Sequence, residues 1–319
     1  MKERMIAVDD RNKTNMMTGE SMAAGQGRIF GTGKGKPGMR RLSKEEIKQL
    51  ELELLLAFCA LCEANHLYYT LGGGSLLGAV RHRGFIPWDD DIDVLMPRPD
   101  YDRLMNGKGL DFAPLPVYAG LSHFKDGSSY YPFMKLEDRR TLVEERYVQD
   151  CYACRHICID IFPVDANPAS SRELRRIYRL SLFYRKLLTL QMARKGEGKT
   201  LLKRRFKPFI QAGLQASLLR RFPVPELCRQ IDGLAKRGSF EKAEYVGGIV
   251  WGYGPGERIQ KSRFLTPVPM EFEGHLFQGP SNYHEYLTGL YGNYMILPPE
   301  KERQDHERRV FMPENPEQL

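Results

Sequence analysis

No run of apolar residues in this 319-residue chain approaches the roughly 18 needed to cross a bilayer, so the sequence does not describe a membrane-spanning protein. No apolar stretch follows the charges at the N-terminus either, and a secretory leader needs one. Six cysteines are few for this length. Without a leader they read as reduced thiols and not as a disulfide framework. Together these absences predict a cytoplasmic location. No internal repeat is present, which sets aside solenoids and propellers. Acidic residues are in deficit, 40 against 48 lysines and arginines. The net charge of +8 suits phosphate-bearing ligands, nucleic acid or an anionic membrane surface, without choosing among them.

What is present suffices for a sizeable core, because 42% of the residues are hydrophobic and the length holds one large domain or two small ones. The first 40 residues carry Gly, Ser, Thr, Asn, Lys and Met without a sustained period. Their loosely spaced glycines, Gly27 to Gly38, lack both the GK[ST] ending and the preceding strand of a phosphate loop. They read as a disordered tail, and 41–319 reads as the folded domain. Order begins with RRLSKEEIKQLELELLLAFCALCEAN. Ser43 and Glu46 have capping-box spacing, with Leu42 and Ile47 as a hydrophobic staple. Ile47, Leu50, Leu54, Phe58 and Leu61 then recur at helical spacing.

LYYTL (67–71) reads as a short strand running into Gly72-Gly73-Gly74-Ser75. SLLGAVRH reads as a brief helix, and DIDVLM as a second strand ended by Pro97 and Pro99. Another helix starts near Asp100. YYPFMKLEDRRTLVEE (130–145) reads as strand, turn and strand. HICIDIFPVD (156–165) is an apolar strand with one aspartate in its middle, stopped by Pro163. A helical insertion follows over 170–240, strongly basic as far as Arg221, with Glu173 and Glu197 as the only acids of that part. The fold class expected is α+β, a mixed sheet flanked by helices.

The stretch GFIPWDDDIDVLM sets Asp89, Asp90, Asp91 and Asp93 among apolar residues. Carboxylates so close repel one another, and burying one is costly without a positive partner. Side chains alternate across a strand, so Asp91 and Asp93 are expected on one face, with Ile92, Val94 and Met96 on the other. Two carboxylates so spaced suit Mg2+ or Mn2+, hard cations that bring phosphate with them. The glycines of LGGGS allow close approach of a ligand to backbone. Amides opening the next helix can cradle phosphate, and Ser75 adds a hydroxyl. Asp160 lies among Ile157, Ile159, Ile161 and Phe162, where a charge needs a partner or a metal. On a strand beside Asp93 it completes a three-carboxylate site, suited to metal binding or to taking a proton from an attacking hydroxyl.

Strand, Gly-Gly-Ser, helix, Asp-x-Asp strand and a later carboxylate together resemble the nucleotidyltransferase fold. GGGSLLGAVRHRGFIPWDDDIDVLMPRPDY narrows this, because it resembles the hallmark of the LicD family. Those phosphotransferases move phosphocholine or a related phospho-alcohol from a CDP-activated donor to a sugar, and the fukutin-type ribitol-phosphate transferases are distant relatives. MKLEDRRT, CIDIFPVD and YLTGLYGNYMILPPEKERQDH extend the resemblance over about 42–306. The sequence departs from the family pattern at Asn293, where an Asp is frequent, and at Asp305-His306, where paired histidines are common.

The resemblance implies a nucleotidyltransferase-like sheet and catalytic, metal-holding roles for Asp91, Asp93 and Asp160 with Mg2+ or Mn2+. It implies donor phosphates held by Gly73, Gly74 and Ser75 and faced by Arg81 and His82. Asp89 and Asp90 would stand beside the metal carboxylates or at the acceptor, and Lys135 and Arg139 would offer charge to the pyrophosphate. The implied partners are CDP-choline or another CDP-alcohol and a glycan acceptor of the lipopolysaccharide or teichoic-acid kind, with no specific nucleic acid expected.

Plainer readings stand beside these. Asp89 to Asp93 also fits a solvated acidic turn, and Asp160 a structural carboxylate paired with an arginine. Arg81 and His82 suit a helix end, and Asp165 a turn. Trp88 suits the core or one wall of a cation pocket. Cys151, Cys154 and Cys158 would bind zinc only with a fourth ligand such as His156 or Cys228. The basic stretch suits a solvated face or an anionic inner-membrane surface. Two other functions remain open at this point: a nucleotidyltransferase using an NTP donor, and a non-catalytic nucleic-acid-binding protein.

Overall fold

The first helix, α1 (Lys44–Ala64), starts at the capping box that the sequence marks. The Glu46 amide donates to Ser43 Oγ at 3.2 Å, and the Ser43 amide donates to Glu46 Oε2 at 2.8 Å. No helical carbonyl reaches either amide, so the two side chains set the first turn. Ile47, Leu54, Leu55, Phe58 and Leu61 are buried along one stripe of this helix.

The computed structural model describes residues 38–145, 148–193, 221–300, 303 and 308–314. Its strands are β1 (Met39–Arg41), β2 (Thr70–Leu71), β3 (Asp93–Pro97), β4 (Ala119–Ser122), β5 (Met134–Asp138), β6 (Leu142–Glu144), β7 (Ile157–Asn167), β8 (Tyr245–Gly247), β9 (Ile259–Gln260), β10 (Pro267–Phe272), β11 (His275–Pro280) and β12 (Arg309–Pro313). The remaining helices are α2 (Gly73–His82), α3 (Arg98–Asn106), α4 (Ser171–Met192), α5 (Val224–Ala235), α6 (Lys261–Phe264) and α7 (Tyr283–Tyr291).

The main sheet has the order β2-β3-β7-β5-β4, with β8 continuing along β7 and β9 along β8. β3 and β7 run parallel, and the other pairs are antiparallel. Helices α1 and α3 pack on this sheet, so the architecture is α+β with a mixed sheet. A small sheet, β1-β12-β6, and a β10-β11 hairpin complete it.

Val94, Ile159, Ile161, Met134 and Leu136 are fully buried on the three central strands. Burying each stabilises the fold by about 1.5–3 kcal/mol relative to leaving it exposed. A slip of one residue would push charged neighbours into that layer, so the apolar face specifies the register. Alternation then turns Asp93, Asp160 and Lys135 to the opposite face.

Four expectations change. The tail expected over 1–40 lies outside the described residues up to 37, but Met39–Arg41 is already a strand paired with β12. LYYTL contributes strand only at Thr70–Leu71. β7 does not stop at Pro163 but runs on to Asn167. The Asp160 amide donates to Ile92 O at 2.9 Å, so even-numbered amides of β7 face β3. The Pro163 nitrogen therefore faces the other edge, between Met134, the first residue of β5, opposite Ile161 and Gly247, the last residue of β8, opposite Asp165, where no ladder bond is lost. Asp165 is also no turn former. It is a buried residue of β7 whose carboxylate takes both Arg98 Nε at 2.6 Å and Arg98 Nη2 at 3.1 Å.

Arg98 also donates from Nη1 to Asp232 Oδ1 at 2.8 Å, tying α3, β7 and α5 together. Burial disfavours its charge, but Asp165 and Asp232 outweigh that and keep the guanidinium protonated. Removing one partner of a buried ion pair leaves uncompensated charge behind. Arg98→Met is therefore expected to lower unfolding free energy by roughly 3–5 kcal/mol, measured by urea denaturation.

Candidate active site

Residues directly opposite on neighbouring strands share a face. Asp93 of β3 pairs with Asp160 of β7, and Asp160 pairs with Lys135 of β5. The strands thus set two carboxylates and one ammonium in a row. Lys135 Nζ donates to Asp160 Oδ1 at 2.5 Å and stands 4.6 Å from the Tyr131 ring centre. Burial disfavours the Lys135 charge, but Asp160, then Cys158 and Cys154, more than compensate and hold it protonated. Lys135 was expected to meet a pyrophosphate. It is instead buried and committed to Asp160.

Asp93 is also buried. Burial pushes its carboxyl well above the usual range, and Asp91, Asp160 and Asp89 push it further, against the opposing charge of Lys135. β3 begins only at Asp93, so Asp91 lies in the segment leading into the strand and not on the strand face expected for it.

Gly73 and Gly74 open α2 against these carboxylates. A Cβ on Gly73 would sit 2.5 Å from Asp93 Oδ2, and one on Gly74 would sit 2.7 Å from Asp89 Oδ2. Gly73 also has φ +46°, and its amide donates to Tyr286 Oη at 3.3 Å. The positive φ favours glycine at Gly73, and at both positions a Cβ would push a carboxylate oxygen aside. Ser75, expected at the donor phosphates, is buried, and its Oγ accepts the Asp93 amide at 2.8 Å, which pins α2 to the start of β3.

Other expected residues stand elsewhere. Arg81 and His82 lie in the last turn of α2, at the opposite end from Gly73. Arg81 donates to Tyr294 O at 2.7 Å, and His82 stands edge-on to Trp88. Helix direction therefore sets both at the end of α2 away from Gly73 and Asp93. Trp88 lies under the Arg303 guanidinium, 4.7 Å from its ring centre. Arg139 is exposed beyond the end of β5 and lies across Gly120, outside the row. Among the described residues no three His, Cys, Asp or Glu side chains converge to hold a metal ion. Cys151, Cys154 and Cys158 accordingly do not form such a group with His156 or Cys228. Cys151 is exposed, His156 Nδ1 is hydrogen-bonded to Thr141 O at 2.6 Å, and Cys228 Sγ donates to Tyr130 O at 3.4 Å.

Several neighbours escaped the sequence reading. Arg308 Nη2 reaches Glu51 Oε1 at 3.3 Å and Asp90 Oδ2 at 3.5 Å. Burial works against its charge, and Glu51, Asp90 and Asp91 sustain it. Glu51 carried a legible signal, because it falls four residues after Ile47 on the apolar stripe of α1. Arg308 carried none. Tyr253 is a further neighbour, whose hydroxyl proton is held by burial and by the charges of Asp93 and Glu257. Beside Lys135 opens a cavity of about 300 Å3 lined by Tyr130, Tyr131, Glu137, Tyr152 and Cys154.

The three-carboxylate metal site expected of Asp91, Asp93 and Asp160 is not assembled among the described residues. Asp160 is engaged by Lys135, and the oxygens of Asp91 and Asp93 are the chemistry that a hard divalent cation would take. Mg2+ is ordinarily held by one or two carboxylates plus substrate phosphates.

The loop that carries Tyr253 depends on Glu257. Its carboxylate accepts the Tyr253 amide, and burial pushes its carboxyl up to about 7, against the Tyr253 amide and Arg185. The folded chain keeps this proton where the unfolded chain, with a value near 4.5, has lost it. Folding therefore takes up a proton between these values, and stability falls as pH rises through that window, by on the order of 3 kcal/mol for this group. Glu257→Gln is expected to flatten that fall, read from urea denaturation at about pH 5 and about pH 8.

The sequence model described as LicD/FKTN/FKRP, nucleotidyltransferase domain, matches residues 66–172, which run from just before β2 to the start of α4. The lipopolysaccharide cholinephosphotransferase LicD of Haemophilus influenzae is 31% identical over 272 residues, covering 84% of this chain and 97% of that protein. Shorter matches reach an uncharacterized protein of Rickettsia typhi, 42% identical over 57 residues, and one of Rickettsia prowazekii, 37% identical over 62 residues. These cover 18% of this chain and 18% of the first protein, and 17% of this chain and 23% of the second. The similarity to the Haemophilus protein runs nearly end to end, and the domain match contains Gly73, Asp93, Lys135 and Asp160: the chain belongs to the LicD family.

Proposed function

We propose that this protein transfers phosphocholine from CDP-choline to a hydroxyl of a cell-surface glycan or its lipid-linked precursor, on a nucleotidyltransferase-like sheet. The observation that carries the reading is the registered row of Asp93 and Asp160, with the glycine start of α2 held against it. The Haemophilus relative, named for cholinephosphate transfer to lipopolysaccharide, supports the substrate class.

In this reading the acceptor oxygen attacks the phosphorus next to choline, its new P–O bond forms as the anhydride P–O bond breaks, and CMP leaves. The proton passes to Asp160, whose Oδ2 is not used by Lys135. The Gly74 amide and the positive end of α2 receive phosphate oxygens. Asp91 and Asp93 would hold a divalent cation, which when bound supplies positive charge to the diphosphate. The cavity beside Lys135 suits a quaternary ammonium, because the rings of Tyr130, Tyr131 and Tyr152 and the carboxylate of Glu137 line it.

The purified chain with CDP-choline, Mg2+ and lipo-oligosaccharide is expected to release CMP. Asp93→Asn should lose at least ~100-fold in rate, and Tyr152→Ala should raise KM for CDP-choline several-fold. Pyrophosphate release from nucleoside triphosphates, with no CMP from any CDP-alcohol, overturns the reading. Separately, Mg2+ should raise the thermal unfolding midpoint of wild type but not of Asp93→Asn, because an ion that binds only the folded state stabilises it.

A further inference from the structure

The outer face of α4 is not used by the site. Arg172, Arg175, Arg176, Arg179, Phe183 and Lys186 are all exposed. At 100° per residue their spacing places them in one sector roughly 100° wide. The opposite sector holds the buried Leu174, Ile177, Tyr178, Ser181, Arg185 and Leu188. The helix is thus anchored by one face and presents a stripe of five cations about 21 Å long on the other. No carboxylate of the described residues pairs with any of the five. Phe183 stands within the stripe, 54% exposed. In sequence the same bias continues from Arg194 to Arg220, with Glu197 as the one acid.

A solvated helix face has no need of an exposed phenylalanine or of such one-sided charge. Phosphate groups account for the cations. Hydrocarbon beneath the phosphates accounts for Phe183, and a membrane surface offers both at the same depth. Nucleic acid offers the phosphates but presents its backbone to such a helix, where an apolar ring gains little. We infer that the Arg172 to Lys186 face of α4 docks the protein on an anionic lipid bilayer, with Phe183 inserted between headgroups.

This docking does not depend on the reaction proposed above. It does orient the molecule. On its buried side Ser181 Oγ donates to Ile249 O at 2.7 Å, and the Arg185 guanidinium lies over Trp251, 5.7 Å from its ring centre. Both partners belong to the segment that leads to Tyr253, a residue within the field of Asp93, so α4 lies between the docked surface and that segment.

The test uses the full chain in sedimentation with vesicles of phosphatidylcholine alone and of phosphatidylcholine with phosphatidylglycerol, at low and high salt. The same preparations are titrated with duplex DNA and single-stranded RNA. Binding is expected only to the anionic vesicles and should fall with salt. Each cation removed should weaken it roughly fivefold, so Arg175→Gln/Arg176→Gln/Arg179→Gln should lose about a hundredfold. Phe183→Ser should lose several-fold at both salt concentrations while leaving nucleic-acid titrations unchanged. Circular dichroism and CMP release confirm that these surface variants remain folded. Equal binding to neutral and anionic vesicles overturns the inference, as does undiminished binding by the triple variant. So does tighter binding to DNA or RNA than to vesicles, which would assign the stripe to nucleic acid.

Discussion

Everything at the site depends on Lys135 standing opposite Asp160. Two aspartates on adjacent central strands repel each other, and both lie over an apolar layer. A lysine one strand further on, in the same row and held protonated, offsets that repulsion. The ion pair also commits Asp160 Oδ1, so a further cation, if bound, would fall to Asp91 and Asp93. On the far side, Arg308 plays the corresponding part for Glu51 and Asp90. The acidic stretch is therefore balanced from two directions, incompletely, and its remaining charge is what a metal-bound diphosphate would meet.

The glycines act within that constraint. Gly73 and Gly74 are often the mark of a loop that wraps a phosphate. Here the nearest tenants are carboxylate oxygens of Asp93 and Asp89, close enough that a Cβ would have to displace them. The helix start and the acidic residues are built as one unit, and the Ser75 hydroxyl on the Asp93 amide locks them together. A phosphate arriving there would meet amides, helix dipole and carboxylates at once, and a cation joined to it would offset the carboxylates.

Local patterns were legible in the chain because they are settled within a few residues. The capping box at Ser43, a helix in SLLGAVRH, a strand in DIDVLM and the apolar strand around Asp160 follow from spacing, although the helix starts two residues earlier, at Gly73, and the strand two residues later, at Asp93. Asp160 was picked out because a lone charge in an isoleucine-rich strand needs a partner, although that partner proved to be a lysine and not an arginine. Glu51 was readable in principle as a charge on an apolar helix face. Pro163 misled because a proline ends a strand only where its nitrogen must donate, and that depends on where neighbouring strands stop. Asp165 misled because its partner, Arg98, lies 67 positions earlier. Arg81 and His82 were adjacent in sequence to the right motif but at the wrong end of its helix.

The sequence by itself determined the family, the α+β class, the segments and the aspartates worth following, since periodicity, capping and motif spacing are properties of short stretches. Tertiary structure alone decided which charges face one another. The parallel register of β3 on β7 put Asp93 beside Asp160, and the antiparallel register of β5 on β7 put Lys135 on the other side of Asp160. The chain's return from the opposite end set Arg308 against Asp90. Coulomb energies depend on distance in space and on exclusion of water, and neither can be read from position along the chain.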